Sequence, residues 1–130
     1  MLINENNYVE EAEKVIKLLS EKKDQKGRPV SMVTTSKIRN LLAMVSDSYN
    51  DALNLKGDKL SEELIGQINY MKIRFYYEAG REPKVKELLE KAKVFDIMKQ
   101  ISNSRENYIL FSRYMEALVA FRKFYGGKDE

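Results

Sequence analysis

The chain has 130 residues, near the usual size of one domain, and it carries 23 Lys+Arg against 20 Asp+Glu for a net charge of +3. It contains neither cysteine nor histidine, which excludes disulfides, cysteine-ligated zinc, thiolate catalysis and a histidine general base. We therefore predict one domain over residues 1–130 with no cofactor and no metal site. The mildly basic balance permits nucleic-acid binding through a local patch without requiring it.

Apolar residues recur at spacings of three and four along most of the chain, which is typical of amphipathic helices and argues against a sheet. The spacing predicts an all-α fold, a compact bundle of about five helices. The first helix runs from about Asn7 to Lys23 and ends at the segment DQKGRP. The hydroxyl residues Thr34, Thr35 and Ser36 are predicted to cap the second, which ends within Asn54 to Asp58.

The third predicted helix, from about Leu60 to Ala79, carries apolar and aromatic residues on all sides. This pattern predicts that it is the central helix of the bundle. Gly80 is predicted to end it in a left-handed conformation. Pro83 is predicted to open the fourth helix, which extends through Phe95.

The fifth predicted helix runs from Ser104 to Tyr125, with aromatic and aliphatic residues over a broad face. Gly126 and Gly127 are expected to end it, and Lys128 to Glu130 to fray. Together with the third helix it is expected to supply the core. Truncation there, as in Phe75→Ala, should lower the free energy of unfolding by about 3 to 5 kcal/mol.

No targeting or membrane segment is apparent. The sequence has no run of about 18 apolar residues, and its opening MLINENNYVEEAEK lacks the basic-then-apolar layout of a secretory signal. We therefore expect a cytoplasmic protein with no membrane partner.

Candidate catalytic groups are also lacking. The acidic neighbours Glu62 and Glu63 would point about 100° apart on a helix, so they cannot jointly hold a metal ion. The phosphate-binding pattern GxxxxGK[ST] and the zinc pattern HExxH are absent. We therefore predict that the chain is not an enzyme.

The segment TTSKIRN places Lys37 and Arg39 in the first turn of the second helix. Cations there oppose the helix dipole, at a cost of about 0.3 to 1 kcal/mol each, so their presence calls for a reason. One interpretation is an anion site for phosphate, built from both cations, the cap hydroxyls and free backbone N–H groups. The alternative is that both residues are solvated or pair with a carboxylate of a neighbouring helix.

Two further basic regions are weaker candidates. Arg81 belongs to the segment AGREPKVKE, where acidic residues dilute the positive charge. Arg74 stands in the mostly apolar MKIRFYYEAG, and an internal pair with Glu78 is favoured over an outside acidic partner.

The last helix carries a third basic region. Arg113, Arg122 and Lys123 are predicted to share its polar side, interleaved with aromatic residues. Aromatic residues at helical spacing more often belong to a core, so we do not infer base stacking from them.

Four segments together resemble a known family. TTSKIRNLL, QINYMKIRFYYEAGRE and SRYMEALVAFRKFYGGKDE, with the opening ENNYVEEAEK, strongly resemble the small subunit of type III-A CRISPR interference complexes. The resemblance covers nearly the whole chain and is least distinctive over residues 24–33 and 54–63.

The resemblance implies a non-enzymatic helical subunit of an antiviral Csm complex, stacked in more than one copy. Its implied partners are the guide RNA, the target RNA, the backbone and large subunits of the complex, and copies of itself. The alternative is a structural adaptor that never contacts RNA. The implied RNA-binding residues are Lys37, Arg39, Arg74, Arg81, Arg113, Arg122 and Lys123.

Overall fold

A computed structural model describes residues 1–126 of the chain. These residues form six α-helices, so the predicted all-α fold is confirmed with one helix more than expected. None of the described helices has both the length and the apolar character needed to cross a membrane. The helices are α1 (Tyr8–Ser20), α2 (Thr35–Asn54), α3 (Glu62–Arg81), α4 (Pro83–Lys91), α5 (Val94–Ile101) and α6 (Arg105–Gly126).

Both α2 and α3 begin at a hydroxyl cap. The Thr34 hydroxyl accepts a hydrogen bond from the backbone N–H of Lys37 at 3.3 Å, and the Ser61 hydroxyl accepts one from Leu64 at 3.2 Å. Of the three hydroxyl residues predicted as caps, Thr34 has this role. Thr35 is buried in the first turn instead, and Ser36 is exposed.

The junction between α3 and α4 is set by proline rather than by glycine. Pro83 opens α4 as predicted. The prediction for Gly80 was wrong, because α3 continues through it to Arg81 and its φ is not positive. A residue before proline is driven to extended backbone, and Glu82 (φ −128°, ψ 108°) has that conformation, which ends α3.

The predicted fourth helix is divided in two. It breaks at Lys93, which has left-handed backbone with φ 57°. Beyond it, α5 buries Val94, Ile97, Met98 and Ile101 on one stripe and packs against α6. The chain therefore changes direction at Lys93 so that this apolar stripe reaches the core.

The central helix is α6, which packs against α1, α2 and α5. Its side chains Tyr108, Phe111, Met115 and Leu118 are fully buried. Gly126 is its last residue. The predictions for Gly127 and for fraying of Lys128 to Glu130 lie outside the described residues.

The prediction that the third helix is central was wrong. One stripe of α3, which includes Ile68, Met71 and Phe75, is buried. The large side chains on its outer face are 54% to 64% exposed: Tyr70, Ile73, Tyr76 and Tyr77. Among the helices with extensive contacts, α3 packs on α2 and α4 alone. On its outer face, the Tyr76 ring stacks on Phe95 of α5 with 4.0 Å between the ring centroids.

Candidate nucleic-acid interface

A groove between the start of α2 and the end of α3 brings together three of the predicted basic residues. Lys37 comes from the first turn of α2, and Arg74 and Arg81 come from the C-terminal half of α3. The groove has a volume of about 410 Å³, and the buried residues Leu41 and Val85 form part of its lining. Packing of α2 against α3 therefore collects cations that are distant in sequence.

The two cations at the start of α2 have different surroundings. The Lys37 ammonium forms an ion pair with the carboxylate of Glu82, and the two side chains remain 39% and 33% exposed. Arg39 is exposed and has no carboxylate partner within residues 1–126. The second interpretation of the sequence, that the cation pairs with a neighbouring carboxylate, is therefore correct for Lys37. Its side chain nevertheless stays accessible to an anion.

Arg74 and Arg81 share one carboxylate. The Glu78 Oε1 lies 3.6 Å from a guanidinium nitrogen of each arginine, so the predicted pair of Arg74 with Glu78 is confirmed. Both guanidinium groups also lie over the ring of Tyr77, at 5.3 and 5.8 Å from its centroid. Glu78 and Tyr77 therefore hold the two cations in position at the groove.

The acidic residues of the segment AGREPKVKE are engaged by lysines from elsewhere in the chain. Glu82 pairs with Lys37, and Glu87 pairs with Lys22 from the loop after α1. Partly exposed pairs of this kind contribute about 0 to 1 kcal/mol. An arriving anion can therefore displace these carboxylates at little cost.

The three predicted basic residues of α6 do not share one side of the helix, and the prediction was wrong for Arg122. Arg113 and Lys123 are exposed, whereas Arg122 is only 4% exposed. Its Nε donates to the backbone carbonyl of Val33 at 2.6 Å. Arg113 and Arg122 are about two and a half turns apart, so they point in opposite directions.

Arg113 lies in a second groove of about 450 Å³ that also holds Arg105, a residue that was not among the predicted basic residues. The Nε of Arg113 donates to the Tyr49 hydroxyl at 3.3 Å, and this hydrogen bond raises the pKa of the guanidinium. Arg105 donates to the carbonyls of Ala52 and Leu53 at 2.7 and 3.0 Å, satisfying the end of α2. The sequence signal that could have identified Arg105 is its position in the first turn of a helix, where a cation is unfavourable, as it is for Lys37.

Cationic side chains line both grooves. Within residues 1–126, no three acidic side chains lie close enough together to hold a metal ion. Glu62 and Glu63 are both exposed in the first turn of α3, as their spacing predicts. The arrangement is suited to binding anions.

Comparisons with known proteins agree with the resemblance seen in the sequence. A family model described as Csm2 Type III-A matches residues 10–128. Three relatives carry the name CRISPR system Cms protein Csm2. That of Streptococcus thermophilus is 46% identical over 128 residues, which cover 98% of each chain. That of Enterococcus italicus is 36% identical over 121 residues, 88% of this chain and 86% of the relative.

The third relative, from Mycobacterium tuberculosis, is 33% identical over 130 residues and is covered completely, as is this chain. Both the family model and these alignments extend over nearly the whole chain, so the match does not rest on one shared segment. The chain therefore belongs to the Csm2 family and is the small subunit of a type III-A CRISPR Csm complex.

Proposed function

We propose that this subunit is a non-catalytic, cytoplasmic component of the Csm ribonucleoprotein that holds the backbones of target and guide RNA without reading their sequence. The observation that supports this most is the groove where Lys37, Arg74 and Arg81 converge. Cations fixed on a rigid scaffold can follow phosphates without touching base edges. The target sequence is then selected by base pairing between target RNA and guide RNA.

Exchange of partners explains how the groove accepts a phosphate. In the free subunit Lys37 is held by Glu82, and both arginines by Glu78. These pairs keep the cations oriented while contributing little to stability. A phosphate oxygen offers Arg and Lys a strong charge-assisted hydrogen bond in their place.

The remaining exposed cations extend the proposed surface. Arg39, Arg113 and Lys123 all lie at the exterior of the bundle, and we propose that they contact RNA or the backbone and large subunits. Arg122 is left out of this surface because its side chain is buried against the loop before α2. We further propose that several copies of the chain stack along the complex.

Target RNA affinity of the assembled complex tests the proposal. The double variant Lys37→Gln, Arg81→Gln should bind target RNA more weakly, with a shallower dependence of affinity on salt, because fewer counterions are released. The control is Lys14→Gln on α1, which removes an exposed lysine paired with Glu11. Unchanged affinity and salt dependence in the groove variant would contradict RNA binding there.

A structural adaptor is the second candidate, and one observation favours it. Three cations and two carboxylates line the groove, which leaves a net charge of only +1 (3 − 2). Such a surface also fits an acidic protein partner. Counting copies of the subunit in complexes assembled without target RNA, by native mass spectrometry, separates the two. A full set of copies in the absence of target supports protein contacts, whereas recruitment by target supports RNA contacts.

A further inference from the structure

A groove between α1 and the junction of α4 with α5 is lined mostly by apolar side chains. It has a volume of about 310 Å³, and we call it the α1–α5 groove. The buried residues Ile3, Ile97 and Tyr114 form its floor. Its rim carries Leu2 and Leu18, which are 42% and 61% exposed. An exposed apolar surface bordered by charged residues is typical of a contact with another protein.

Two lysines give the α1–α5 groove a positive charge. Lys91 and Lys93 line it from the junction of α4 with α5, and neither ammonium forms an ion pair with a carboxylate of residues 1–126. The other charged residues of the lining, Lys14 and Glu11, pair with each other at 3.2 Å. The net charge of the lining is therefore +2 (3 − 1). The complementary surface of a partner carries carboxylates.

Lysine at position 93 is unfavourable for the fold in two ways. Its backbone is left-handed, with φ 57° and ψ 34°, a conformation that glycine or asparagine adopts more readily. Lys93 is also the N-cap of α5, where a cation opposes the helix dipole. The fold of the described chain therefore gives no reason for lysine there, whereas a carboxylate from outside would.

The composition of the groove favours a protein over RNA or a small polar ligand. Nucleobases stack on aromatic rings, but the exposed side chains of the rim, Leu2 and Leu18, are aliphatic. The aromatic residue of the lining, Tyr114, is buried. Its hydroxyl already donates to the Ala92 carbonyl at 2.9 Å, so it is not available to orient a small ligand.

We propose that the α1–α5 groove docks an acidic segment of another Csm subunit. This segment places an aliphatic side chain against Leu2 and Leu18 and a carboxylate beside Lys93. The chain belongs to a Csm complex, so other subunits are its neighbours. The docking goes beyond the proposed RNA binding and does not depend on it, because the proposed RNA contacts include no residue of this groove.

Incorporation of variants into the complex tests the docking. Csm complexes assembled with guide RNA, but without target RNA, are supplied with the small subunit, and its bound copies are counted by native mass spectrometry. Leu18→Glu and Lys93→Glu should weaken incorporation by about tenfold or more, as expected at the centre of an interface. The matched controls are Val9→Glu, at an exposed residue of α1, and Lys56→Glu in the loop after α2, and both should incorporate like the wild type. Equal incorporation of a groove variant and its control, or a wild type that does not incorporate without target, would overturn the proposal.

The variant Lys93→Gly separates docking from folding. Glycine adopts a positive φ without strain, so the melting temperature of the free chain should not fall. Incorporation into the complex should nevertheless weaken, because the ammonium is lost. Incorporation equal to that of the wild type would contradict a role of the lysine side chain in docking.

Photo-crosslinking from the groove identifies its occupant. With p-benzoylphenylalanine in place of Leu18, irradiation of the assembled complex should capture a segment of another Csm subunit that contains Asp or Glu. The same amino acid in place of Val9 should not capture that segment. Capture of RNA, of a second copy of this chain or of a segment without carboxylates would refute the proposed partner, as would the absence of any product.

Discussion

The ammonium of Lys37 and the carboxylate of Glu82 form an ion pair that joins the first turn of α2 to the junction between α3 and α4. Glu82 has extended backbone because Pro83 follows it. A local effect of proline thus places a carboxylate opposite a lysine that is unfavourable in its own helix. The pair offsets that local cost and holds Lys37 at the groove.

Removal of the carboxylate should strengthen RNA binding. Glu82→Gln releases Lys37 from its partner, and an exposed pair contributes up to about 1 kcal/mol. We expect target affinity of the assembled complex to rise by up to about fivefold, measured by equilibrium titration at fixed salt. Glu11→Gln, which releases Lys14 on α1, should leave affinity unchanged. Weaker binding by Glu82→Gln would mean that the ion pair itself shapes the surface that is recognised.

The core position of Phe75 gives a stability prediction. Phe75 is fully buried on the inner stripe of α3. Phe75→Ala should lower the free energy of unfolding by about 3 to 5 kcal/mol, since the helix cannot collapse onto the cavity. Leu18→Ala, at an exposed position on α1, should change it by less than about 0.5 kcal/mol. Denaturant titrations of the dilute protein measure both, and equal losses would contradict the assignment of the core.

Arg122 is predicted to act in stability rather than in RNA binding. Its buried Nε donates to the carbonyl of Val33, and a hydrogen bond to a charged group contributes about 1.5 to 3 kcal/mol. We expect Arg122→Met to lose stability by at least that range while the folded variant, in the complex, keeps wild-type affinity for target RNA. A thermal melt and an RNA titration on the same preparation provide the two readouts. A selective loss of RNA affinity would show that Arg122 does belong to the RNA-binding surface.

Tyr108 makes stability depend on alkaline pH. Burial raises the pKa of its phenol to about 12 from an ordinary value of 10.0. Below pH 10 both folded and unfolded chains hold the proton, so the contribution of Tyr108 is constant there. As pH rises from 10 to about 12, the unfolded chain releases the proton first, and the folded state loses stability.

Denaturant titrations across this pH range test the linkage. In Tyr108→Phe the decline should be smaller than in the wild type, although not absent, because burial also raises the pKa of Tyr114. The variant loses a long hydrogen bond of 3.4 Å to the Val45 carbonyl and the interactions of the hydroxyl with Ser48 and Ser112, but it keeps the buried ring, so it should remain folded. Identical pH profiles for the two proteins would show that Tyr108 titrates normally.

Some helix boundaries are determined by neighbouring residues in the sequence, and others are determined by tertiary packing. The starts of α2 and α4 follow from Thr34 and Pro83, which act on backbone within one turn. The break at Lys93 has no such signal, since a lysine with positive φ is unfavourable by itself. The break is stabilised by packing of the buried stripe of α5 against α6, and this contact forms only in the folded core.

The sequence by itself determined the helical class, the absence of cysteine and histidine chemistry, the candidate cations and the family resemblance. These follow from residue types and from spacings within a few turns. Only the tertiary structure decided that α6 rather than α3 is central, that Arg122 is buried, and that Lys37 meets Glu82. The physical reason is that periodicity shows which face of a helix is apolar, whereas covering that face depends on segments far along the chain.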